Sequence, residues 1–247
     1  MEEGKSNVRA VERALDILLC FTEGTDLAMS EIADKVGLHK STVHRMLATL
    51  ENRGFVERDP SSERYHLGMR MWELSAHLSS SDDQSVIWQP EMERLRDRLG
   101  ETVSIYVRDG SERVRIQAVQ SNQPVRRVAP VGARLPLYAG ASSKVLIAYS
   151  DRFVQEQIFG DPAWLLAIDL DQYKQQLEEI AQQGYATSFE EREPGVAALA
   201  APIFNRHGKV AAALSVSGPS SRLTMDTMSE YSTVLIEFAK RMGTMIK

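Results

Sequence analysis

From residue 8 the chain reads VRAVERALDILLCF, with Val8, Val11, Leu15 and Leu18/Leu19 apolar and charges between them, which is helical spacing. A break follows at Glu23-Gly24-Thr25-Asp26. SEIADKV (30–36) predicts a second short helix, with Ser30 as its N-cap and Gly37 where a left-handed residue is wanted just past the end. A third helix is predicted from Lys40 to Asn52, with Val43, Met46/Leu47 and Leu50 on one face and Gly54 ending it. Two strand-like runs, Phe55–Arg58 and Arg64–Leu67, flank Asp59-Pro60-Ser61-Ser62-Glu63, a cluster of turn formers. Helix, tight turn, helix and two-stranded wing make a winged helix-turn-helix.

Residues 69–99 read as helix in two pieces, with SSSDDQS (79–85) between them as the linker. Trp72 and Trp88 flank it; they either anchor it by burying a large area or relay a signal across it. Beyond the linker the rhythm changes. Residues 101–119 alternate with period two around Asp109-Gly110, a hairpin signal. Residues 141–149 and 171–183 read as helices, and 197–204 and 209–216 as strands joined by a turn containing His207-Gly208. Met228, Tyr231, Leu235, Phe238 and Met242 repeat at helical spacing to the end. Strands and helices mix without a strict βαβ beat, so the fold class is α+β rather than a doubly wound sheet.

Composition adds limits. The chain of 247 residues is 43% hydrophobic and 26% charged, which is ordinary for a globular protein. A formal net charge of −5 rules out a uniformly basic nucleic-acid binder, but not a locally basic surface. Such a surface exists in outline. Lys35, Lys40 and Arg45 fall in a stretch, 35–50, that holds no acidic residue, whereas acidic residues outnumber basic ones in the rest of the first seventy.

The outer face of the third helix carries Lys40, Ser41, Thr42, His44, Arg45 and Thr49. A helix of this width fits the DNA major groove, where polar side chains reach base edges, and Ser, Thr and helix-terminal N–H groups suit phosphate oxygens. Ser30, at the start of the second helix, joins that set. Arg58, Arg64 and His66 on the wing, with Arg9 and Arg13 on the first helix, add candidate backbone contacts. Two other readings stay open: a cationic helix face is also what a merely solvated helix shows, and winged helices also dock proteins. Few phosphate contacts per protomer give modest, salt-dependent affinity, so a specific operator implies a dimer or larger assembly.

Enzyme signatures do not show. G-x-S-x-G, the P-loop and G-x-G-x-x-G are missing, and histidines 39, 44, 66, 77 and 207 form neither H-x-x-x-H nor H-x-H. No cofactor and no metal are expected. The one cysteine, Cys20, allows no internal disulfide and sits on an apolar helix as a buried thiol rather than a redox switch. No apolar run reaches the length of a membrane span, and the charged N-terminus lacks a secretory signal. The expectation is a cytoplasmic protein with no membrane partner.

Several segments resemble one known family. MSEIADKVGLHKSTVHRMLATLENRGFVERD (29–59), RYHLG (64–68), PVRRVAPVGARLPLYAGASSKVLIA (124–148), GYATSFEEREPGVAALAAPIF (184–204) and VAAALSVSGPSSRL (210–223) are similar, in order and spacing, to the IclR family of bacterial transcriptional regulators. The resemblance implies a winged helix-turn-helix DNA-binding domain over 1–68, a linker helix and connector over 69–84, and a GAF/profilin-like α+β effector-binding and oligomerisation domain over 85–247. It implies a non-enzymatic repressor or activator, a homodimer or dimer of dimers on double-stranded operator DNA, and a small-molecule effector. One departure is visible: many members have Pro where this chain has His39.

Carried over by resemblance, the effector pocket draws on Leu135, Leu137, Gly140, Ala141 and Ser142, then Glu190, Val196 and Ala198, then Ser215 and Ser217. The residues themselves agree in part. Ser215 and Ser217, two apart on a strand, share a face. A helix starting near Gly140–Ser142 presents N–H groups, so hydroxyls and a helix N-terminus predict a carboxylate site without any arginine. Leu135, Leu137 and Val196 supply an apolar wall. Glu190 repels an anion unless it is protonated or accepts a hydrogen bond from a ligand hydroxyl, which favours a hydroxy or keto acid. The alternatives are serines that bond only to backbone and a solvated charge run over 190–193.

Overall fold

The computed structural model describes residues 7–78, 84–128, 130–161, 164 and 169–246, and the chain divides into two units between residues 81 and 82. The linker stretch 79–85 lies largely outside the described residues; Gln84 and Ser85 already belong to a helix rather than to a linker.

The first unit runs α1 (Arg9–Leu19), a 3-10 turn (Cys20–Thr22), α2 (Met29–Val36), α3 (Lys40–Asn52), β1 (Val56–Arg58), β2 (Tyr65–Leu67) and α4 (Met69–Leu78). Ile17, Phe21, Ile32, Val43, Leu47 and Val56 form its core. Gly37 takes φ +64° and closes α2, as its placement required. Ser30 is not the N-cap. The helix starts one residue earlier, Ala28 occupies the cap position, and the Glu31 carboxylate accepts the Ala28 N–H at 2.6 Å. A glutamate at the third helical position does half the work of a capping box without a hydroxyl opposite it.

The wing is antiparallel, with Val56 opposite Leu67. It is fastened to the turn before α2: Leu27 and Tyr65 exchange backbone hydrogen bonds of 2.9 and 2.8 Å. Arg64 adds a second tie. It donates through Nε to the Asp26 carboxylate and through Nη2 to the Asp26 carbonyl at 2.9 Å and to Glu31 at 2.8 Å.

The second unit contains α5 (Gln84–Leu99), β3 (Thr102–Asp109), β4 (Glu112–Val119), β5 (Arg134–Pro136), α6 (Ala141–Ala148), α7 (Arg152–Phe159), then α8 (Leu170–Gln183), β6 (Ala186–Phe189), β7 (Val196–Phe204), β8 (Val210–Pro219) and α9 (Met225–Thr244). Its six strands lie in the order β5-β4-β3-β8-β7-β6, every neighbouring pair antiparallel. The α+β expectation holds. Sequence periodicity did not signal α7, β5 or β6; the two strands are short edge strands of three and four residues, too brief to show alternation.

Each sheet face has its own core. On one, α5 and α9 pack over Val103, Ile105, Leu199, Leu214 and Val216. Trp88 of α5 is 1% exposed there, and its indole N–H donates to the Met242 carbonyl at 2.9 Å. Trp72, the other tryptophan beside the linker, is 70% exposed within the first unit. On the opposite face α6, buried from Ala141 to Ile147, lies against β7 and β8 with α8 beside it. Small residues on those strands, Ala198, Ala200, Ala213 and Ser215, let the helix approach. Among the described residues no helix is long and apolar enough to cross a membrane.

Candidate DNA interface and ligand cavity

In the first unit α3 buries Val43, Leu47 and Leu50 and turns Lys40, Ser41, His44, Arg45 and Thr49 outward, with Thr42 half-buried. His39 is the N-cap. Its Nδ1 accepts the Ser41 N–H at 3.3 Å and lies 2.8 Å from the Ser41 hydroxyl. Its φ of −63° is the angle a proline imposes. A side-chain bond therefore starts the helix where a ring constraint would otherwise do so, and an accepting Nδ1 assigns the ring proton to Nε2.

The basic candidates divide into two groups. Lys40 and Arg45, and likewise Arg9 and Arg13 on α1, pair with no carboxylate among the described residues. Arg58 pairs with Glu63 at 2.7 Å and lies 5.9 Å from the Tyr65 ring centre, while Arg64 is engaged by Asp26 and Glu31. His66 has its Nδ1 3.2 Å from the Leu67 carbonyl oxygen. The unpaired cations thus lie on helices, and the wing arginines are bonded within the unit.

In the second unit a cavity of about 50 Å³ opens on the sheet face that α6 covers. Gly140, Ala141 and Ser142 reach it from the start of α6; Val196, Ala198, Ser215 and Ser217 reach it from β7 and β8. Ser217 pairs in register with Ala198, and Ala198 with Ser188, so two hydroxyls and a methyl form one row across three strands. Leu135, Leu137 and Glu190 do not line it. Leu137 is fully buried in the hydrophobic core beside α6, and Leu135 packs against that core. Glu190 takes φ +56° and turns away, so that the Ser220 hydroxyl donates to it at 2.7 Å.

The expectation of a site without arginine is wrong. Four arginines line the cavity: Arg113 and Arg115 from β4, Arg127 from the segment after β4, and Arg192 from the β6–β7 loop. Arg113 is 3% exposed; its Nη1 donates to the Pro136 and Ala139 carbonyls at 2.9 and 2.6 Å, while its Nε has no partner. Burial pushes the Arg113 guanidinium down to about 10, and the charges of Arg192 and Arg115 press the same way. The Tyr106 ring sits between Arg113 and Arg115, 5.5 and 5.1 Å from their guanidinium carbons, and the Tyr106 hydroxyl accepts from Arg115 Nε at 2.9 Å.

Two carboxylates beside the cavity are already engaged. Glu193 accepts from both Nη1 and Nη2 of Arg127, at 2.8 and 2.9 Å, and from Arg192 at 2.6 Å. The hydrogen bond from Arg192, with the charge of Arg127 added, holds its carboxyl below the ordinary glutamate range. Glu191 pairs with Lys144 and accepts the Gly140 N–H at 3.1 Å. It therefore takes one of the α6 N-terminal amides that the sequence reading assigned to a ligand. Among the described residues no cluster of three or more His, Cys, Asp or Glu could hold a metal.

A helix-turn-helix with its outer face cationic, joined to an α+β unit that holds a cavity lined by arginines and serines, defines a DNA-binding transcriptional regulator. The sequence profile described as the IclR helix-turn-helix domain matches residues 10–60, and the one described as the bacterial transcriptional regulator IclR C-terminal matches residues 77–244. The chain belongs to the IclR family. The regulator KipR of Bacillus subtilis is 32% identical over 226 residues, covering 89% of this chain and 90% of the relative. The transcriptional repressor IclR of Escherichia coli is 31% identical over 244 residues, covering 94% and 88%. An IclR homologue from Microbacterium hydrocarbonoxydans, solved in complex with 4-hydroxybenzoate, aligns with a TM-score of 0.82 at 26% identity, over 96% of this chain and 98% of that one.

Proposed function

We propose that this regulator binds operator DNA through α3 and that a small organic acid in the arginine-lined cavity controls that binding. Residues 1–68 act as the DNA-binding domain, 69–84 as linker helix and connector, and 85–247 as the effector and oligomerisation domain. On the DNA side Lys40, Ser41, Thr42, His44 and Arg45 contact bases and phosphates in the major groove. Arg9 and Arg13 contact the backbone. The outward hydroxyls and unpaired cations of α3 support this assignment.

The observation that carries the effector reading is the cavity itself: buried guanidinium and hydroxyl donors converge on a space with too few carboxylates to match them. The 4-hydroxybenzoate held by a homologue supports a carboxylic acid as the ligand class. The protein acts in the cytoplasm as a homodimer or a dimer of dimers. Support comes from Val8, Val11, Leu15 and Leu19, which form an exposed apolar stripe along α1. The ligand acts by population shift: it prefers one arrangement of the paired DNA-binding domains, with a coupling of about 1–3 kcal/mol, or roughly 5–150-fold in operator affinity.

The test joins both ends. Mobility-shift titrations on the promoter region, with and without carboxylic acids chosen by thermal shift, should show acid-dependent operator affinity. The Ser215→Ala/Ser217→Ala double variant should keep DNA binding and lose the response. Unaltered acid affinity in that variant would place the ligand elsewhere. Consumption of the acid during incubation would instead favour an enzyme.

A further inference from the structure

We propose that the cavity takes a compact dianion, with one anionic group on Arg113 and the other beside Glu193 on the Arg127/Arg192 pair. The inference rests on the cavity being the effector site and adds the charge and size of what enters it.

Charge comes first. Among the described residues Arg113 has two backbone carbonyls and an aromatic ring as partners, but no carboxylate. A guanidinium this deeply buried, with an unpartnered Nε, is stable only where an anion completes it. At the rim Arg127 and Arg192 share the single carboxylate of Glu193. Arg115 keeps its charge as well, although the Tyr106 hydroxyl already takes its Nε–H. Four arginines therefore line a space with one carboxylate, and a dianion offsets that cationic excess more fully than a monoanion. A monoanion would leave one end uncompensated. The serines at 142, 188, 215 and 217 are neutral donors, and alone they would have sufficed for a single carboxylate.

Size comes second. On the scale where one water needs about 10–15 Å³, a cavity of about 50 Å³ has room for roughly four waters. That suits a two- to four-carbon dicarboxylate, whose two negative groups sit a few ångströms apart.

The experiment is calorimetry on the full chain at constant ionic strength with matched probes: malonate against propionate, and succinate against butyrate. The wild type should bind at least one dianion ten or more times tighter than its monoanionic match. Glu193→Gln should tighten the dianion several-fold. The triple variant Arg127→Gln/Arg192→Gln/Glu193→Gln removes the rim pair and should bring the ratio close to one.

Equal affinity for mono- and dianions, lost together in Ser215→Ala/Ser217→Ala, would overturn the dianion and leave the cavity as the effector site. A tenfold preference that survives both the triple and the serine variants would put the binding elsewhere and sink both readings. So would a wild type that binds neither class.

Discussion

Gly140 leaves open the space that the Arg113 guanidinium fills. A β-carbon there would lie 2.9 Å from Arg113 Nη2, and the residue takes φ +102°, a region that L side chains rarely adopt. The first turn of α6 and the second residue of β4 therefore meet through a missing side chain, and the cationic end of the cavity depends on it.

Gly140→Ala should strain the backbone and displace Arg113 together. We expect a loss of about 1–3 kcal/mol in urea unfolding, with at least a tenfold weaker affinity for an acid that binds the wild type. An unchanged denaturation midpoint would mean that the contact is not tight in solution.

Lys40→Ala and Arg45→Ala should each flatten the salt dependence of operator binding. One lost phosphate contact per protomer is two per bound dimer and lowers the slope of log K against log salt by about 2. If Arg45 also reads a base edge, its loss costs about 1–3 kcal/mol and relaxes selectivity at that position. Arg64→Ala is the control. Asp26 and Glu31 already hold that guanidinium, so the slope should stay as in the wild type while the wing loosens. A flattened slope in the Arg64 variant would reassign it to DNA.

Acid affinity should depend on pH through Arg113. Its charged form binds the anion, and in the ligand-free protein burial brings it down to about 10. Affinity is therefore flat from pH 7 to about 9. It falls towards tenfold per unit above about 10, where binding must first restore a proton. Calorimetry in buffers of different ionisation enthalpy should detect proton uptake at pH 10 and none at pH 7. Identical heats after buffer correction at both would exclude Arg113 from the site.

Trp88→Phe removes one of two donors to the Met242 carbonyl, which keeps the Met245 N–H at 3.1 Å. Losing one buried hydrogen bond costs about 0.5–1.5 kcal/mol, read as a shift in the unfolding midpoint of the second unit. The same variant should lose only part of the blue-shifted component of tryptophan emission, because Trp164 is as buried as Trp88 while Trp72 is exposed. A variant as stable as the wild type would show that water or a shifted helix end replaces the bond.

Punctuation in the sequence was legible where one residue type had one conformational use. Gly37 ended α2 in the left-handed region, and Gly110, at φ +61°, turned the β3–β4 hairpin. Ser30 failed as a cap because Glu31 could reach the backbone N–H without it. The hydroxyl half of the cavity was also legible, since Ser215 and Ser217 had to share a face.

The cationic half was not. Arg113 and Arg115 occupy alternate positions of ERVRIQAV, which in an isolated hairpin is the solvent side. The segment leading into α6, through the Pro136 and Ala139 carbonyls, and Tyr106 of β3 bury that face. Arg127 and Arg192 arrive from segments far apart in sequence, and the run 190–193 divides residue by residue: Glu190 points out, while Arg192 and Glu193 line the cavity. The residue spacing in arginine-containing β4 held one usable sign, a pair of like charges two apart beside a strand due to be covered.

The fastening of the wing to the turn before α2 bears on how a signal can act. With the Leu27–Tyr65 bonds and the Arg64 clamp in place, the reading head has no soft joint of its own. In the proposed dimer, what a metabolite can alter is the gap and tilt between two rigid heads. The regulated quantity is then the centre-to-centre distance of the operator's half-sites. Inserting or deleting a single base pair between them should alter operator affinity more than changing a base that either head touches.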